Sequence, residues 1–280
     1  VLSKMNIDSI ESAIEFKFSL NLSSWEDFSL LKNYYQKYKV LPKVHIKIDT
    51  GMSRLGFDFS DVEKVLDRIS SFKELECEGV YSHFSTADEG DLGYAKTQLS
   101  RFQSMLDKAK KNEIFFRFIH CSNSGSLLNL PESQFNMFRV GLLLYGALPS
   151  KEVPTSLPIK PVMDFKGTIV SLRKVRGNTP VSYGGIWIST KETTIGVIQT
   201  GFADGLPRPW YEKGVVGYNG RYYPISGRIC MDQFMVDFGN DTVQIGDDVF
   251  LWGDDGDNNI SVEKISDVIC STPYVVFTSL

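Results

Sequence analysis

The sequence has no long apolar run and no excess of basic charge. No stretch of its 280 residues approaches the roughly 20 apolar residues that a membrane-spanning helix needs. Lysine and arginine total 30 against 34 acidic residues, whereas nucleic-acid binding normally requires basic patches. The composition therefore argues against a membrane protein and against a nucleic-acid-binding protein.

Cysteine is scarce, and no two cysteines are spaced as CxxC. The four are Cys77, Cys121, Cys230 and Cys270. This spacing fits neither a zinc site nor a dense disulfide framework, so we expect reduced thiols and no metal site. The first residues also lack the basic region and following apolar region of a signal peptide. Together these absences predict a cytoplasmic protein.

Apolar residues are plentiful and regularly arranged in the first half of the chain. Hydrophobic residues make up 42% of the sequence, enough for a sizeable core. The predicted strands are 15–21, 44–49, 77–84, 115–123 and 138–146, and the predicted helices include 25–38, 60–72 and 94–111. This alternation predicts parallel strands joined by crossover helices.

Polar residues stand at the ends of several predicted strands. They are Lys47, Asp49, His83, His120 and Asn123. Because α/β folds carry their chemistry on the loops after the carboxyl ends of the strands, we expect the functional site there.

A proline-rich segment at 149–161 separates this half from a region of different character. Its lack of apolar periodicity predicts a linker, and we place the boundary between an α/β domain, 1–155, and a second domain, 156–280. The second domain has short β-like runs interrupted by glycines, which predicts a mostly-β fold. The acidic stretch 253–259 lacks the closing glutamate of a calcium-binding loop and is predicted to be a solvated turn.

Taken singly, the candidate chemical residues allow more than one interpretation. His83 follows a predicted strand, where a hydrogen-bonded core histidine is about as common as a functional one. Tyr183 lies in a glycine-flanked turn that any β domain could contain. Arg139 precedes an apolar run, and a guanidinium there must reach solvent or bind an anion, which favours a functional anchor.

A series of seven motifs is more specific than any single residue. The motifs are VHIKIDTGMSRLGF (44–57), SHFSTAD (82–88), HCSNSGSLL (120–128), FRVGLLLYG (138–146), VSYGG (181–185), TGFADGLPR (200–208) and GRICMDQFMVDFG (227–239). In this order they closely resemble the alanine racemases, pyridoxal-phosphate (PLP) enzymes that interconvert L- and D-alanine. The segments at 47–56 and 227–233 carry most of the specificity.

The resemblance implies a fold, a cofactor and partners. The fold would be a TIM-type (β/α)8 barrel holding PLP, incomplete in this chain, followed by a mostly-β domain. The substrate would be a small amino acid, racemised through a PLP aldimine by two-base proton transfer. PLP would act as electron sink while the protein supplies positioning and acid/base groups. A head-to-tail homodimer would share each active site between subunits.

Several site residues follow from the matched motifs. Tyr183 resembles the tyrosine base for L-alanine, and His83 would hydrogen-bond its phenol. Arg139 would face the pyridine nitrogen of PLP, which then stays unprotonated. Arg54 would bind near the phenolic oxygen of PLP and the substrate carboxylate, where a guanidinium fork suits oxyanions. Lys47 matches a lysine that family members often carry as a carbamate.

The resemblance also implies contacts to phosphate and substrate. Ser124, Gly141, Leu142 and Tyr274 match phosphate contacts, since backbone N–H groups and hydroxyls form the usual phosphate cradle in this fold. Met231 matches the position where the substrate carboxylate meets a backbone amide.

Two features depart from the family pattern. Phe202 stands where the family usually has tyrosine, so a hydroxyl at the site entrance is lost. The sequence also contains no match to the motif VKANAYGHG, which carries the lysine that forms the Schiff base with PLP. We therefore expect the chain to lack the first part of the barrel, having five of its eight strands, and to be inactive by itself.

Two other functions remain open. One is a racemase of the same family that acts on serine or on several amino acids, which assays on both substrates distinguish. The other is a non-catalytic remnant, whose signature would be loss of the site residues. Against the remnant, six of them are present: Arg54, His83, Arg139, Tyr183, Met231 and Tyr274.

Overall fold

The computed structural model describes residues 1–154, 157–254 and 256–280, which form two compact units. The first unit consists of Val1–Val140 with Glu152–Pro154. The second consists of Gly141–Lys151 and the described residues from 157 to the C-terminus. The domain boundary predicted between residues 155 and 156 lies outside the described residues.

The first unit is an α/β structure built around a parallel sheet. Its elements are α1 (Ile7–Phe16), β1 (Leu20–Leu22), α2 (Trp25–Tyr38), β2 (Val44–Asp49), β3 (Phe57–Asp58), α3 (Val62–Ser71), β4 (Cys77–Tyr81), α4 (Gly93–Lys111), β5 (Phe118–His120) and α5 (Ser124–Asn129). The strand order is β1-β2-β4-β5, with β3 beside β2, and every pair is parallel. The α/β barrel-like fold predicted for this half is therefore confirmed.

Helix packing follows the apolar periodicity of the sequence. In α3, Val62, Val65, Leu66 and Ile69 recur at spacings of three and four residues, and all four are buried. Each such side chain contributes roughly 1.5–3 kcal/mol when removed from water. The apolar stripe therefore holds α3 against the core of the first unit.

Two of the predicted strands were wrong, wholly or in part. The strand predicted at 15–21 shrinks to β1, because α1 extends to Phe16 and ends at Lys17 in the left-handed conformation. The strand predicted at 138–146 is a 3-10 turn at Leu142–Tyr145, which Gly146 ends at a φ of 75°. The parallel sheet also contains β3, beside β2, which the sequence pattern did not predict.

The second unit is mostly β. Its strands are β6 (Phe165–Val175), β7 (Pro180–Val181), β8 (Trp187–Ile188), β9 (Thr193–Ile198), β10 (Val215–Tyr218), β11 (Arg221–Pro224), β12 (Phe234–Gly239), β13 (Asp248–Asp254) and β14 (Asn259–Ile260); α6 (Val262–Val268) and α7 (Pro273–Thr278) follow. One antiparallel sheet has the order β11-β10-β13-β6-β9-β12, with β14 beside β13, while β7 and β8 pair separately. The predicted mostly-β fold is confirmed.

Alternating burial positions the sheet of the second unit on its core. Along β12, Phe234, Val236 and Phe238 are buried while the residues between them are partly exposed. The acidic stretch 253–259 joins β13 to β14, with residue 255 outside the described part. Within the described residues, no helix is long and apolar enough to cross a membrane.

Candidate active site

Polar side chains line up at the carboxyl ends of the parallel strands. Lys47 on β2 pairs in register with Tyr81 on β4, and Tyr81 pairs with His120 on β5. Residues in register across neighbouring strands share one face of a sheet. All three side chains are buried, so the sequence places a lysine, a tyrosine and a histidine inside the first unit.

Arg139 is the centre of this cluster. Its Nη1 donates to His120 Nδ1 at 2.6 Å. Its Nη2 donates to Ser82 O at 2.7 Å, to Cys121 O at 3.1 Å and to His83 Nδ1 at 3.2 Å. Four neutral acceptors thus hold the guanidinium, and its orientation is fixed on both sides.

The cluster carries positive charge, and Asp49 is the carboxylate whose charge acts on Lys47. Among the described residues, neither Arg139 nor Lys47 forms a salt bridge. Burial and the charges of Arg54 and Arg139 lower the pKa of Lys47 and outweigh the charge of Asp49, which raises it. Burial also lowers the pKa of Arg139. Arg54 is exposed on the turn after β2. A cationic pocket of this kind suits an anionic ligand.

Both histidines beside Arg139 are neutral. Burial, with the charges of Arg139, Arg54 and Lys47, lowers the pKa of His83 to about 4. Burial, Arg139 and His45 lower the pKa of His120 to about 3. Because an arginine can only donate, Nδ1 of each ring is the acceptor and the proton is on Nε2. His83 therefore offers one N–H donor.

Tyr81 supports the cluster, although sequence reasoning did not single it out. Its hydroxyl donates to Asn21 Oδ1 at 2.9 Å, and its ring stacks on His120 with centroids 4.8 Å apart. Arg139 Cζ lies 5.2 Å from the ring centroid, a cation–π contact. Burial raises the pKa of Tyr81 to about 12, so its phenol remains neutral.

The predicted phosphate contacts are divided between the two units. Ser124 is the buried first residue of α5 in the first unit. Gly141 and Leu142 belong to the second unit, where Gly141 precedes the 3-10 turn Leu142–Tyr145. A Cβ at Gly141 would have open space around it.

Tyr274 lies on the same side of the second unit as that turn. It is in α7, and its side chain is half exposed. The rings of Tyr145 and Phe277 lie 5.5 Å apart and join the turn to α7. The elements that carry Leu142 and Tyr274 are therefore neighbours.

Tyr183 and Met231 lie together on an open cleft of the second unit. The cleft has a volume of about 850 Å³, and its lining also includes Gln199, Cys230 and Asp232. Tyr183 is 66% exposed and Met231 58% exposed. Ser182 precedes the tyrosine at a φ of 67°, so a left-handed residue presents the phenol to solvent.

The Met231 loop is held by the segment that contains Phe202. Phe202 N donates to Cys230 O at 3.0 Å, and Ala203 N donates to Met231 O at 2.9 Å. A Cβ at Gly201 would lie 2.0 Å from Met231 O, so the close approach requires glycine there. Phe202 itself is 41% exposed.

The structure thus brings the predicted residues into two groups. Lys47, His83 and Arg139 form one group in the first unit, and Tyr183 with Met231 forms another in the second. His120 was noted only as a polar strand end, and its contact with Arg139 was missed. No group of three or more potential metal ligands is found in the part of the chain that the structure describes.

The fold and the site together indicate a class of two-domain enzymes. In this class a parallel α/β barrel-like unit with a buried cationic cluster is followed by an antiparallel β unit. The family model "Alanine racemase, N-terminal domain" matches residues 1–149. The model "Alanine racemase, C-terminal domain" matches residues 162–280. The chain belongs to the alanine racemase family, a family of isomerases.

Curated relatives agree with this assignment. Alanine racemase of Carboxydothermus hydrogenoformans is 37% identical over 252 residues, which cover 88% of this chain and 68% of the relative. Alanine racemase 2 of Caldanaerobacter subterraneus is 37% identical over 240 residues, covering 85% and 62%. Alanine racemase 1 of Clostridium acetobutylicum is 33% identical over 280 residues, covering 99% and 72%. The chain therefore spans about two thirds of the length of these relatives.

Solved structures are similar over the whole chain. Alanine racemase of Clostridium difficile 630 has a TM-score of 0.91 at 29% identity, covering 100% of this chain and 73% of that one. The Bacillus anthracis enzyme with bound L-Ala-P has a TM-score of 0.89 at 29% identity, covering 100% and 72%. The Bartonella henselae enzyme with covalently bound pyridoxal phosphate has a TM-score of 0.87 at 26% identity, covering 100% and 76%.

Proposed function

We propose that this chain carries the PLP-binding and proton-transfer residues of an alanine racemase, which interconverts L- and D-alanine. The observation that carries the proposal is the guanidinium of Arg139, which two neutral histidines hold and which forms no salt bridge with any described residue. The similarity to relatives named alanine racemase supports alanine as the substrate. The pyridoxal phosphate bound covalently in the similar Bartonella henselae enzyme supports the same cofactor here.

The residues present fit an anionic pyridine cofactor. Arg54 and Arg139 supply positive charge in the first unit, and Ser124 supplies a hydroxyl and a backbone N–H at the start of α5. We assign the phosphate to Ser124 together with Gly141, Leu142 and Tyr274. When bound, PLP supplies an electron sink for the carbanion at the substrate Cα.

Arg139 determines how the pyridine nitrogen is held. A guanidinium donates hydrogen bonds and keeps its protons, so a ring nitrogen facing it remains an acceptor. An unprotonated pyridine ring would accept less negative charge from the substrate Cα than a protonated ring. We infer that it favours return of the proton to Cα over side reactions.

His83 and Tyr183 form the first acid/base pair. The one N–H of the neutral imidazole, on Nε2, donates to the Tyr183 phenol oxygen, and Tyr183 Oη exchanges the Cα proton of L-alanine. In the head-to-tail homodimer that we propose, the two residues come from different subunits. Size-exclusion chromatography with light scattering measures the dimer directly, and a monomer at working concentration contradicts the shared site.

Lys47 and Arg54 form a second functional pair. Because burial and neighbouring cations lower the pKa of Lys47, its ammonium group loses a proton more easily than that of a free lysine. The neutral amine can then add to carbon dioxide, forming the N–C bond of a carbamate and releasing one proton to water. The carbamate formed would give Arg54 an anionic partner, and Arg54 would then bind the substrate carboxylate together with the backbone amide of Met231. Incubation with ¹³C-bicarbonate shows a carbamate carbonyl signal in the chain and none in Lys47→Met if the assignment is right.

The second base is the remaining requirement for racemisation. We propose that the 280 residues alone bind PLP without a covalent bond, since they contain no VKANAYGHG motif to provide the lysine. Incubation with PLP, borohydride reduction and intact mass measurement test this. An unmodified mass is expected, whereas one stoichiometric PLP adduct on a lysine would overturn the proposal.

Racemisation is tested with a fusion protein that supplies a Schiff-base lysine. A racemase segment carrying VKANAYGHG is fused to the N-terminus, and chiral chromatography follows conversion of L-alanine and of L-serine. Activity on alanine is expected, and Tyr183→Phe lowers the L-to-D rate by about 10²–10⁴ because a proton-transfer group is lost. A higher kcat/KM for serine would reassign the substrate. A folded, PLP-loaded fusion that racemises neither would support a non-catalytic protein.

We propose a cytoplasmic location for this activity. Fractionation of the source cells followed by immunodetection is the direct measurement.

A further inference from the structure

All three histidines of the chain are connected to Arg139 by hydrogen bonds. The sequence contains three histidines in total, and His83 and His120 contact the guanidinium directly. The third, His45, places its Nδ1 at 2.8 Å from His120 Nε2. On its other side, His45 Nε2 lies 3.5 Å from Glu78 Oε1. We call the series Arg139–His120–His45–Glu78 the histidine relay.

The contacts fix the direction of every proton in the histidine relay. Arg139 can only donate, so His120 Nδ1 accepts and His120 Nε2 carries the proton. That proton is donated to His45 Nδ1, which leaves the His45 proton on Nε2, facing Glu78. The relay therefore runs from a buried cation to a carboxylate in one direction, with both imidazoles neutral.

The rings of the relay are held tightly on both faces. His45 stacks on Phe118, with centroids 5.7 Å apart and an interplanar angle of 17°. His45 pairs in register with Gly79, and a Cβ at Gly79 would lie 2.4 Å from His45 Nδ1. Glycine is thus required for the imidazole to lie there. His120 is clamped in turn by Tyr81.

Glu78 is held as a carboxylate at the far end of the relay. Burial raises the pKa of Glu78, but the hydrogen bond from Ser19 and the charge and hydrogen bond of Lys43 outweigh burial and lower it. The side chain is 10% exposed, and Lys43 Nζ lies 3.4 Å from Oε2. Since Arg139 itself has no acidic partner among the described residues, Glu78 is the carboxylate to which its contacts lead.

We propose that His45 and Glu78 are positioning residues for Arg139, acting through His120. By fixing one tautomer of His120, they keep an acceptor against Arg139 Nη1 and so aim the guanidinium into the pocket. The role of Arg139 at the pyridine nitrogen rests on the proposed function. The fixed orientation of its guanidinium does not depend on that function. Neither His45 nor Glu78 touches the reacting atoms, so neither is a catalytic residue.

The relay can be observed in the cofactor-free chain by nuclear magnetic resonance. With ¹⁵N-histidine labelling, three pairs of ring nitrogens are assigned by single His→Gln variants. A scalar coupling across the hydrogen bond between His120 Nε2 and His45 Nδ1 is expected, with Nδ1 of all three rings unprotonated. Absence of the coupling, or a proton on His120 Nδ1, overturns the proposal.

Two variants separate positioning from simple packing. His45→Leu removes the acceptor of His120, while His45→Gln keeps an oxygen acceptor and an N–H donor about as far apart as in imidazole. With ¹⁵N-arginine, the separate Nη signals of Arg139 should merge in His45→Leu and persist in His45→Gln. Unchanged Arg139 signals in folded His45→Leu contradict the role. If His45→Leu does not fold, Gly79→Ala displaces the ring and is measured instead.

PLP titration gives the functional readout. His45→Leu is expected to bind PLP about tenfold more weakly, a difference of about 1.4 kcal/mol, and His45→Gln within about twofold of the parent. Equal affinities for all three proteins would overturn the effect on the cofactor site. If the parent chain binds no PLP, the proposed function fails, and the Arg139 signals alone decide on the relay.

Discussion

The two units of this chain present their candidate catalytic residues in opposite ways. In the first unit, Lys47 is buried in the parallel sheet, and four acceptors hold the partly buried guanidinium of Arg139. In the second unit, Tyr183 and Met231 lie on an open cleft with most of their surface in solvent. Packing preorganises the residues of the first unit, whereas those of the second unit are accessible to solvent.

This difference predicts different costs for stability. A buried cation without a carboxylate partner lowers the free energy of unfolding. Hydrogen-bond acceptors offset this cost only while every one of them is in place. An exposed tyrosine adds little to stability in either direction. Substitutions in the first unit should therefore change folding and ligand binding together, whereas those in the cleft should change chemistry alone.

The largest effect is expected for Arg139→Leu. Two histidine nitrogens and two backbone carbonyls lose their donor, and the free energy of unfolding should fall by roughly 3 kcal/mol. PLP affinity should fall about 100-fold, or about 2.7 kcal/mol. Urea unfolding and PLP titration measure both. The control is Arg173→Leu on β6, an exposed position, where a change beyond about 0.5 kcal/mol is not expected.

A smaller effect is expected from pH. His83 and His120 have folded pKa values of about 4 and about 3, below the value of 6.5 for the free side chain. The unfolded chain takes up protons below pH 6.5 and the folded chain does not, so stability is full above pH 6.5 and decreases toward pH 4. Between pH 7.5 and 5.0 each histidine should cost about 2 kcal/mol. In urea unfolding, the free energy of unfolding of His120→Gln should decrease less between pH 7.5 and 5.0 than that of the parent chain. An equal decrease in both proteins would contradict burial of a neutral ring.

Lys47→Met should change stability in the favourable direction. The substitution replaces a buried amine, whose pKa burial lowers, by an apolar side chain of similar length. In carbon-dioxide-free buffer we expect a gain of about 1 kcal/mol in the free energy of unfolding. Lys96→Met, at an exposed position of α4, is the matched control and should be neutral. A loss of stability at Lys47 alone would indicate an unrecognised partner for the amine.

The smallest effect on stability is expected for Tyr183→Phe. Because the phenol is 66% exposed, the free energy of unfolding should change by less than about 0.5 kcal/mol. PLP affinity in the 280-residue chain should stay within about twofold. A large change in either quantity would remove the contrast between the buried cluster and the open cleft.

Local pattern was sufficient for much of the fold. The helix at 25–38 and the strand at 44–49 were predicted with the bounds that the structure has. The first helix was missed although Asn6 and Ser9 form a capping box before an amphipathic stretch. The apolar run at 138–146 resembled a strand, but Gly141 and Gly146 allow the chain to turn there.

Motifs predicted individual residues of the site but not the contacts between them. His83 and Arg139 were named from their motifs. Their contact forms because the side chain of Arg139 reaches the residues that follow β4, where it binds Ser82 O and His83 Nδ1. His45 was not singled out, although it alternates with Lys47 on β2 and so faces the same side of the sheet. Its partner His120 is 75 residues away in the chain, a pairing that no local pattern contains.

The space that Gly79 leaves for His45 links two positions of the gene. Any side chain at 79 displaces the imidazole at 45 from its present position, because the Cβ would lie 2.4 Å from the ring. Replacement of Gly79 should therefore be tolerated better once His45 is replaced by a smaller residue. A library that randomises codon 79 alone, selected for the folded chain with its parental imidazole position, should return glycine at 79, whereas a library that randomises both codons should accept other residues at 79 where 45 is no longer histidine.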